Sequence, residues 1–173
     1  RVSPVFRSFI SDYIWTTTTK DPIFSYPIHD TIDEFQIYRP KAKKKQDRFR
    51  TNASNTPLLG IDRLPYVHPV LFITSSYKDV MMLYEIGIPA ICPIGEGTII
   101  PDKDIESLLA RYETLVVNYD NDEAGKIATD ALQTRYPQID SFYTEEEAGV
   151  KDISDYVKHY GLKEAKKLMA FYI

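Results

Sequence analysis

Two aspartates stand one residue apart in the run Asp120-Asn121-Asp122-Glu123-Ala124-Gly125. Placed where a strand ends and a helix begins, both carboxylates can turn toward one cation. Hard divalent ions such as Mg²⁺ (or Mn²⁺) take oxygen ligands and keep waters or substrate phosphates in their remaining positions. Helix capping would account for one of these acids, but not for three. Further acids recur along the chain: Asp79 in Ser75-Ser76-Tyr77-Lys78-Asp79, Glu96 between Gly95 and Gly97, and Asp152 in Lys151-Asp152-Ile153-Ser154-Asp155-Tyr156. Each has an ordinary explanation: a dipole-complementing acid, an exposed loop glutamate, an N-cap. Gathered at one place, they would resist ionisation unless a cation joined them. The candidate metal ligands are Asp120, Asp122 and Asp152, with Asp79 and Glu96 as further catalytic carboxylates and Lys151 as a charge-balancing cation.

A different chemistry lies upstream. Arg39, Lys41, Lys43, Lys44, Lys45, Arg48 and Arg50 fall within twelve residues against the single acid Asp47. The formal net charge of −4 conceals this segregation, since the acids gather later. Lysine and arginine neutralise phosphates, which supplies most sequence-independent affinity for nucleic acid, and Phe49 among the arginines could stack on a base. Arg39, Lys43, Lys44, Lys45, Arg48, Arg50 and Lys151 are thus candidates for binding nucleic acid or nucleoside triphosphates; the plainer reading of Lys43-Lys44-Lys45 is a solvated loop. One cysteine, Cys92, and three scattered histidines exclude an intrachain disulfide and zinc-ribbon spacing. No long apolar run suggests a membrane span, and a cytoplasmic setting is expected. Because the chain starts at Arg1, a fragment of something larger is expected.

These residues need elements to hold them. The apolar run at 70–74 reads as a strand buried on both faces, 88–94 (interrupted by Pro89 and Pro93) and 115–119 as further apolar strands, and 139–143 as a fourth strand. Helical spacing appears at 78–86, 102–112, 123–136, 153–159 and 162–171, with Gly87 and Gly161 placed as stops. Strands alternating with helices imply an α/β fold: a parallel sheet of about four strands with flanking helices and right-handed crossovers. In such sheets ligands sit at the carboxyl ends of the strands, and all four strand ends here are followed by acids. Upstream, 23–28 and 34–38 read as a hairpin and 5–14 as a short helix, a small mixed α/β subdomain. The expected division is a basic subdomain at 1–68 and a metal-binding domain at 69–173.

The order and spacing of the acids resembles the Toprim family, shared by bacterial-type primases, topoisomerases, and some nucleases and repair proteins. That family has a glutamate-glycine pair after the first strand, an aspartate four residues past that glutamate, and an aspartate-x-aspartate after the third strand, often running into alanine-glycine. Asp79, Asp120, Asp122, Ala124 and Gly125 match, and Lys151-Asp152 is similar to the lysine-aspartate element of the phage primase-helicase branch. Upstream, Tyr26-Pro27-Ile28-His29-Asp30, Ile37-Tyr38-Arg39, Arg48-Phe49-Arg50-Thr51-Asn52 and Leu59-Gly60-Ile61 resemble the series that precedes the Toprim domain in bacterial-type primases. The resemblance runs from about Ile23 to Tyr156. It implies a Toprim (Rossmann-like) sheet in the catalytic core fragment of a DNA primase, making RNA primers on single-stranded DNA by Mg²⁺- (or Mn²⁺-) dependent nucleotidyl transfer. The partners implied are a single-stranded DNA template, nucleoside triphosphates and a replicative helicase in cis or in trans, with no membrane. The implied setting is the cytoplasm of a bacterium or phage-infected host, and the source a phage or mobile element.

One departure matters. Ser75-Ser76 stand where the family has glutamate-glycine. Either Glu96, from the end of the neighbouring strand, takes over the missing carboxylate, or the site is weakened and the chain is a Toprim nucleic-acid-binding module; a Toprim nuclease is the alternative enzyme. Under the first reading Glu96→Ala lowers Mn²⁺ affinity and activity together, measured by titration calorimetry and product formation. Unchanged values would leave the weakened site.

Overall fold

The computed structural model describes residues 22–28, 34–53, 58–95, 97–144 and 149–173, and the chain divides into two compact units, Arg1–Thr56 and Pro57–Ile173. The segment expected to be helical at 5–14, His29-Asp30, Glu96 and the acidic run 145–148 lie outside the described residues, as does the side chain of Lys45.

In the first unit, strands β1 (Phe24–Pro27), β2 (Phe35–Tyr38) and β3 (Phe49–Thr51) form an antiparallel sheet in that order. β1 and β2 are the expected hairpin. β3 was not expected as a strand: it sits in the basic segment, after a 3-10 turn at Lys45–Asp47, and three residues are too few to show an alternating pattern. The register pairs Phe24 with Tyr38 and Tyr38 with Phe49. Their rings therefore form one row across the sheet, with centroids 6.1 and 4.7 Å apart. Asn52 closes the unit by accepting the Phe35 N–H at Oδ1, 2.8 Å away.

The second unit is a five-stranded sheet in the order β4-β6-β5-β7-β8. β5 (Val70–Thr74), β6 (Ala90–Pro93), β7 (Thr114–Asn118) and β8 (Asp140–Ser141) are mutually parallel, as the alternation of strands and helices requires. β4 (Leu58–Leu59) adds to β6 antiparallel, so this unit begins ahead of the boundary expected at 68/69. Helices α1 (Tyr77–Ile86), α2 (Asp102–Arg111), α3 (Glu123–Arg135), α4 (Ile153–Tyr160) and α5 (Leu162–Leu168) follow the expected segments to within a few residues. A single 3-10 turn, Ala170–Tyr172, continues beyond α5.

Period-two alternation along β5 sends its side chains to two different faces. Leu71 and Ile73 enter a core with Ile105 and Leu108 of α2, Leu115 and Val117 of β7, and Leu132 of α3. Phe72 points the other way and meets Phe142 and Tyr172 edge-on, at 6.3 and 5.0 Å. All three β5 residues are fully buried, which explains why that strand reads as a continuous apolar run. Cys92 lies buried and unpaired on β6.

The topology creates a crevice. From β5 the chain crosses through α1 to β6 on one side, and from β7 it crosses through α3 to β8 on the other. The connections part at the carboxyl ends of β5 and β7, where ligands bind in open parallel sheets. Gly125 makes the turn out of β7 possible. A Cβ there would sit 2.9 Å from the Asp120 carbonyl carbon and closer still to its oxygen. Gly125→Ala must push the start of α3 off the sheet and should cost about 2–3 kcal/mol, measured as a lowered urea midpoint.

Candidate functional site

The last ladder pair of the two central strands joins Thr74 to Asn118, so the residues that follow emerge side by side. The Asp120 N–H donates to Ser75 Oγ at 2.9 Å, tying the two strand ends together. Asn121 fixes the same turn to the approach of α4: its N–H donates to the Lys151 carbonyl at 2.7 Å, and its side-chain amide to the Thr144 carbonyl at 2.9 Å. Three helices then begin at this rim. Asp79 lies in the first turn of α1, Asp122 is the N-cap of α3 and Asp152 the N-cap of α4. Each carboxylate sits at the positive end of a helix dipole.

Asp79, Asp120 and Asp152 each offer a carboxylate oxygen within 4.8 Å of the others. The donor set is all oxygen, which suits a hard divalent cation. Asp79 is 2% exposed. Its Oδ1 accepts from Lys78 Nζ at 3.2 Å, from the Ser154 N–H at 3.2 Å and from the Ser154 hydroxyl, and its Oδ2 accepts from Ser76 Oγ at 2.5 Å. Burial raises the Asp79 pKa despite the neighbouring ammonium. Asp152 accepts from the Asp155 N–H at 2.8 Å and pairs with Lys78 at 2.5 Å. Burial draws the Lys78 pKa down, but Asp79 and Asp152 together outweigh it and hold the ammonium charged.

Asp122 stands beside this trio rather than in it. Its Oδ1 accepts the Gly125 N–H at 3.0 Å, and its Oδ2 pairs with Lys151 at 2.9 Å. Lys151 also reaches Asp120 at 2.6 Å, and the two carboxylates raise its pKa. Of the carboxylates expected from sequence, four thus meet at one rim, Lys151 balances two of them, and Glu96 lies outside the described residues.

The expected phosphate-binding cations belong to the first unit. Lys43, Lys44, Arg48 and Arg50 are exposed, and Arg39 is half-buried at the end of β2. Arg50 pairs with Asp47 at 2.8 Å. Three residues at the carboxylate rim escaped sequence reasoning: Lys78, Ser154 and the Ser75 hydroxyl as an acceptor. Lys78 left one signal, a cation in the first turn of a helix, where the dipole favours an anion. Among the described residues no helix is long and apolar enough to cross a membrane.

Residues 72–157 match a family model described as Toprim-like. No curated protein matches the chain in sequence. In structure it is similar to the primase fragment of the bacteriophage T7 primase-helicase protein, with a TM-score of 0.71 and 15% identity over 98% of this chain and 71% of that one. It is also similar to the RNA polymerase domain of Mycobacterium tuberculosis primase DnaG, with a TM-score of 0.65 and 16% identity over 86% of this chain and 55% of that one. The zinc-binding and RNA polymerase domains of Aquifex aeolicus primase give a TM-score of 0.62 and 14% identity, over 94% of this chain and 44% of that one.

The rim also sets a pH dependence. Lys151, and after it the Gly125 N–H, hold the Asp122 carboxyl below the usual carboxylate range. Its ionised form therefore favours the folded state. That contribution is complete above the ordinary pKa of about 3.9 and is lost as the pH falls through the lowered value. Asn keeps the N-cap, so Asp122→Asn isolates the charge. Thermal melting of this variant should fall slightly below the parent at neutral pH, because exposed pairs are screened, and the gap should close as the pH falls below the ordinary carboxylate value.

Proposed function

The chain carries a Toprim-like domain within the primase fold, and from that premise we propose that it is the catalytic core of a DNA primase, joining nucleotides into RNA primers on single-stranded DNA. The observation that carries this reading is the set of carboxylates Asp79, Asp120, Asp122 and Asp152 at the crevice between β5 and β7. In the reaction, the 3′-hydroxyl of the growing primer attacks the α-phosphate of a nucleoside triphosphate and pyrophosphate leaves.

Asp120, Asp122 and Asp152, with Asp79 behind them, would hold Mg²⁺ or Mn²⁺. When bound, such an ion neutralises charge on the phosphates and orients the displacement. The chain's own contribution is positioning. Ser76, Ser154 and Lys78 fix the Asp79 carboxylate, and Ser75 fixes the Asp120 backbone, so the acids are preorganised before any substrate arrives. In the first unit, Lys43, Lys44, Arg48 and Arg50 present exposed cations for template or triphosphate, with Lys45 and Arg39 as further candidates. The half-exposed ring of Phe49 stacks on Tyr38 and offers a platform for a base. A replicative helicase, in cis or in trans, is the partner this role calls for. The place of action would be the cytoplasm of a bacterium or a phage-infected host, with the chain encoded by a phage or mobile element.

Ser75 favours one competing reading. At the end of β5 its neutral hydroxyl accepts a backbone N–H and supplies no carboxylate. A chain so built could bind nucleic acid at a Toprim module without making primer. Primer synthesis on single-stranded DNA with labelled nucleotides decides between them. The primase reading expects metal-dependent product and a calorimetric Mn²⁺ signal, both lost in Asp120→Asn/Asp122→Asn. The loss of product should be at least about 100-fold, the upper end of what disturbing a metal's outer hydrogen bonds costs. Metal-independent DNA binding with no product would favour the module, and cleavage of DNA in place of synthesis would favour a nuclease.

A further inference from the structure

Lys78 helps to fix the Asp79 carboxylate, and its reach extends further. It rises from the first turn of α1, and its ammonium reaches Asp152 at 2.5 Å and Asp79 at 3.2 Å. These are two of the three aspartates whose oxygens come close enough to share a cation. An ammonium therefore already bridges most of that cluster. Its partners are enclosed, with side chains 2% and 11% exposed.

Lys151 is different. Lys78 and Lys151 are themselves 40% and 50% exposed, but the partners of Lys151, Asp120 and Asp122, are 24% and 44% exposed, so its pairs open more readily to water and it can yield its place. The rim thus has a closed half, Asp79 and Asp152 bridged by Lys78, and an open half, Asp120 and Asp122. Asp152 stands at the border, with one oxygen on Lys78 and the other on the Asp155 N–H. Among the described residues, Asp120 and Asp122 with Lys151 swung aside carry two negative charges, which one divalent ion balances, whereas Lys78 leaves only one on the Asp79–Asp152 pair. Sites for phosphoryl transfer often hold two such ions, several ångströms apart.

We infer that Lys78 is a tethered cation that takes the place of one divalent ion, so that this rim accepts a single metal ion on the side of Asp120 and Asp122. The inference rests on the metal-site reading above and concerns how many ions that site takes. A fixed ammonium cannot bridge phosphate oxygens as a metal does, but it stays paired with Asp79 and Asp152 at any metal concentration.

The test counts bound Mn²⁺ by electron paramagnetic resonance, with thermal melting in chelator and in Mn²⁺ as a second readout. The parent chain should bind one ion and melt almost independently of metal. Lys78→Met should bind a second ion at least tenfold more tightly than the parent does, melt lower in chelator, and recover when Mn²⁺ is added. Lys78→Arg, which keeps the charge, should still bind one. If Lys78→Met does not fold, Lys78→Gln carries the same test, because it keeps hydrogen-bonding capacity without the charge. Two ions in the parent chain, or one ion of unchanged affinity in the variants lacking the charge, overturns the inference and leaves the metal-site reading standing. No ion in the parent but one in Lys78→Met sinks that reading for the natural chain while supporting the role of Lys78. No ion in either overturns both.

Discussion

Like charges brought together at the edge of a sheet repel, and the second unit is arranged around that repulsion. Four aspartates converge where β5 and β7 end, and nothing in the apolar core beneath can neutralise them. The protein answers with three kinds of positive charge. Lys78 and Lys151 each bridge two carboxylates. The N-termini of α1, α3 and α4 add partial charge from their dipoles. Short hydrogen bonds from Ser76, Ser154 and backbone N–H groups take up the remaining lone pairs. A carboxylate as enclosed as that of Asp79 would otherwise lose its charge to burial.

The same groups cap helices and form the site, so stability and function are not separable here. Asp122 and Asp152 satisfy the first N–H groups of α3 and α4 while presenting their other oxygens to lysines. Ser75 ties the end of β5 to the start of the β7 turn, and Asn121 ties that turn to the approach of α4. The site is a junction at which three crossovers are fastened. Its geometry follows from the strand order and does not depend on any single loop.

Most of this could be read from the sequence because it is written in repeated patterns. Continuous apolar runs marked β5, β6 and β7, and apolar spacing marked the helices. The acids stood out because they follow strands. The parts that were not legible are short or depend on distant partners. β3 and β4 are too brief to alternate, and β4 is a strand only because β6 lies beside it. Two aspartates one residue apart suggested joint ligands; one oxygen of Asp122 caps its helix at Gly125, and the proximity of Asp79 and Asp152 to Asp120 depends on distant elements. Lys78 meets Asp152 across 74 positions of sequence, which no local pattern encodes.

The sheet of the second unit ends on both sides in strands of two residues, β4 and β8. Its long strands are all interior, where each has a neighbour on either side. A further strand from another chain would find only one or two free backbone groups on which to pair. Long flat edges are templates for aggregation, and very short edge strands are one way proteins remove them. The fold thereby keeps five strands from becoming the seed of a larger sheet.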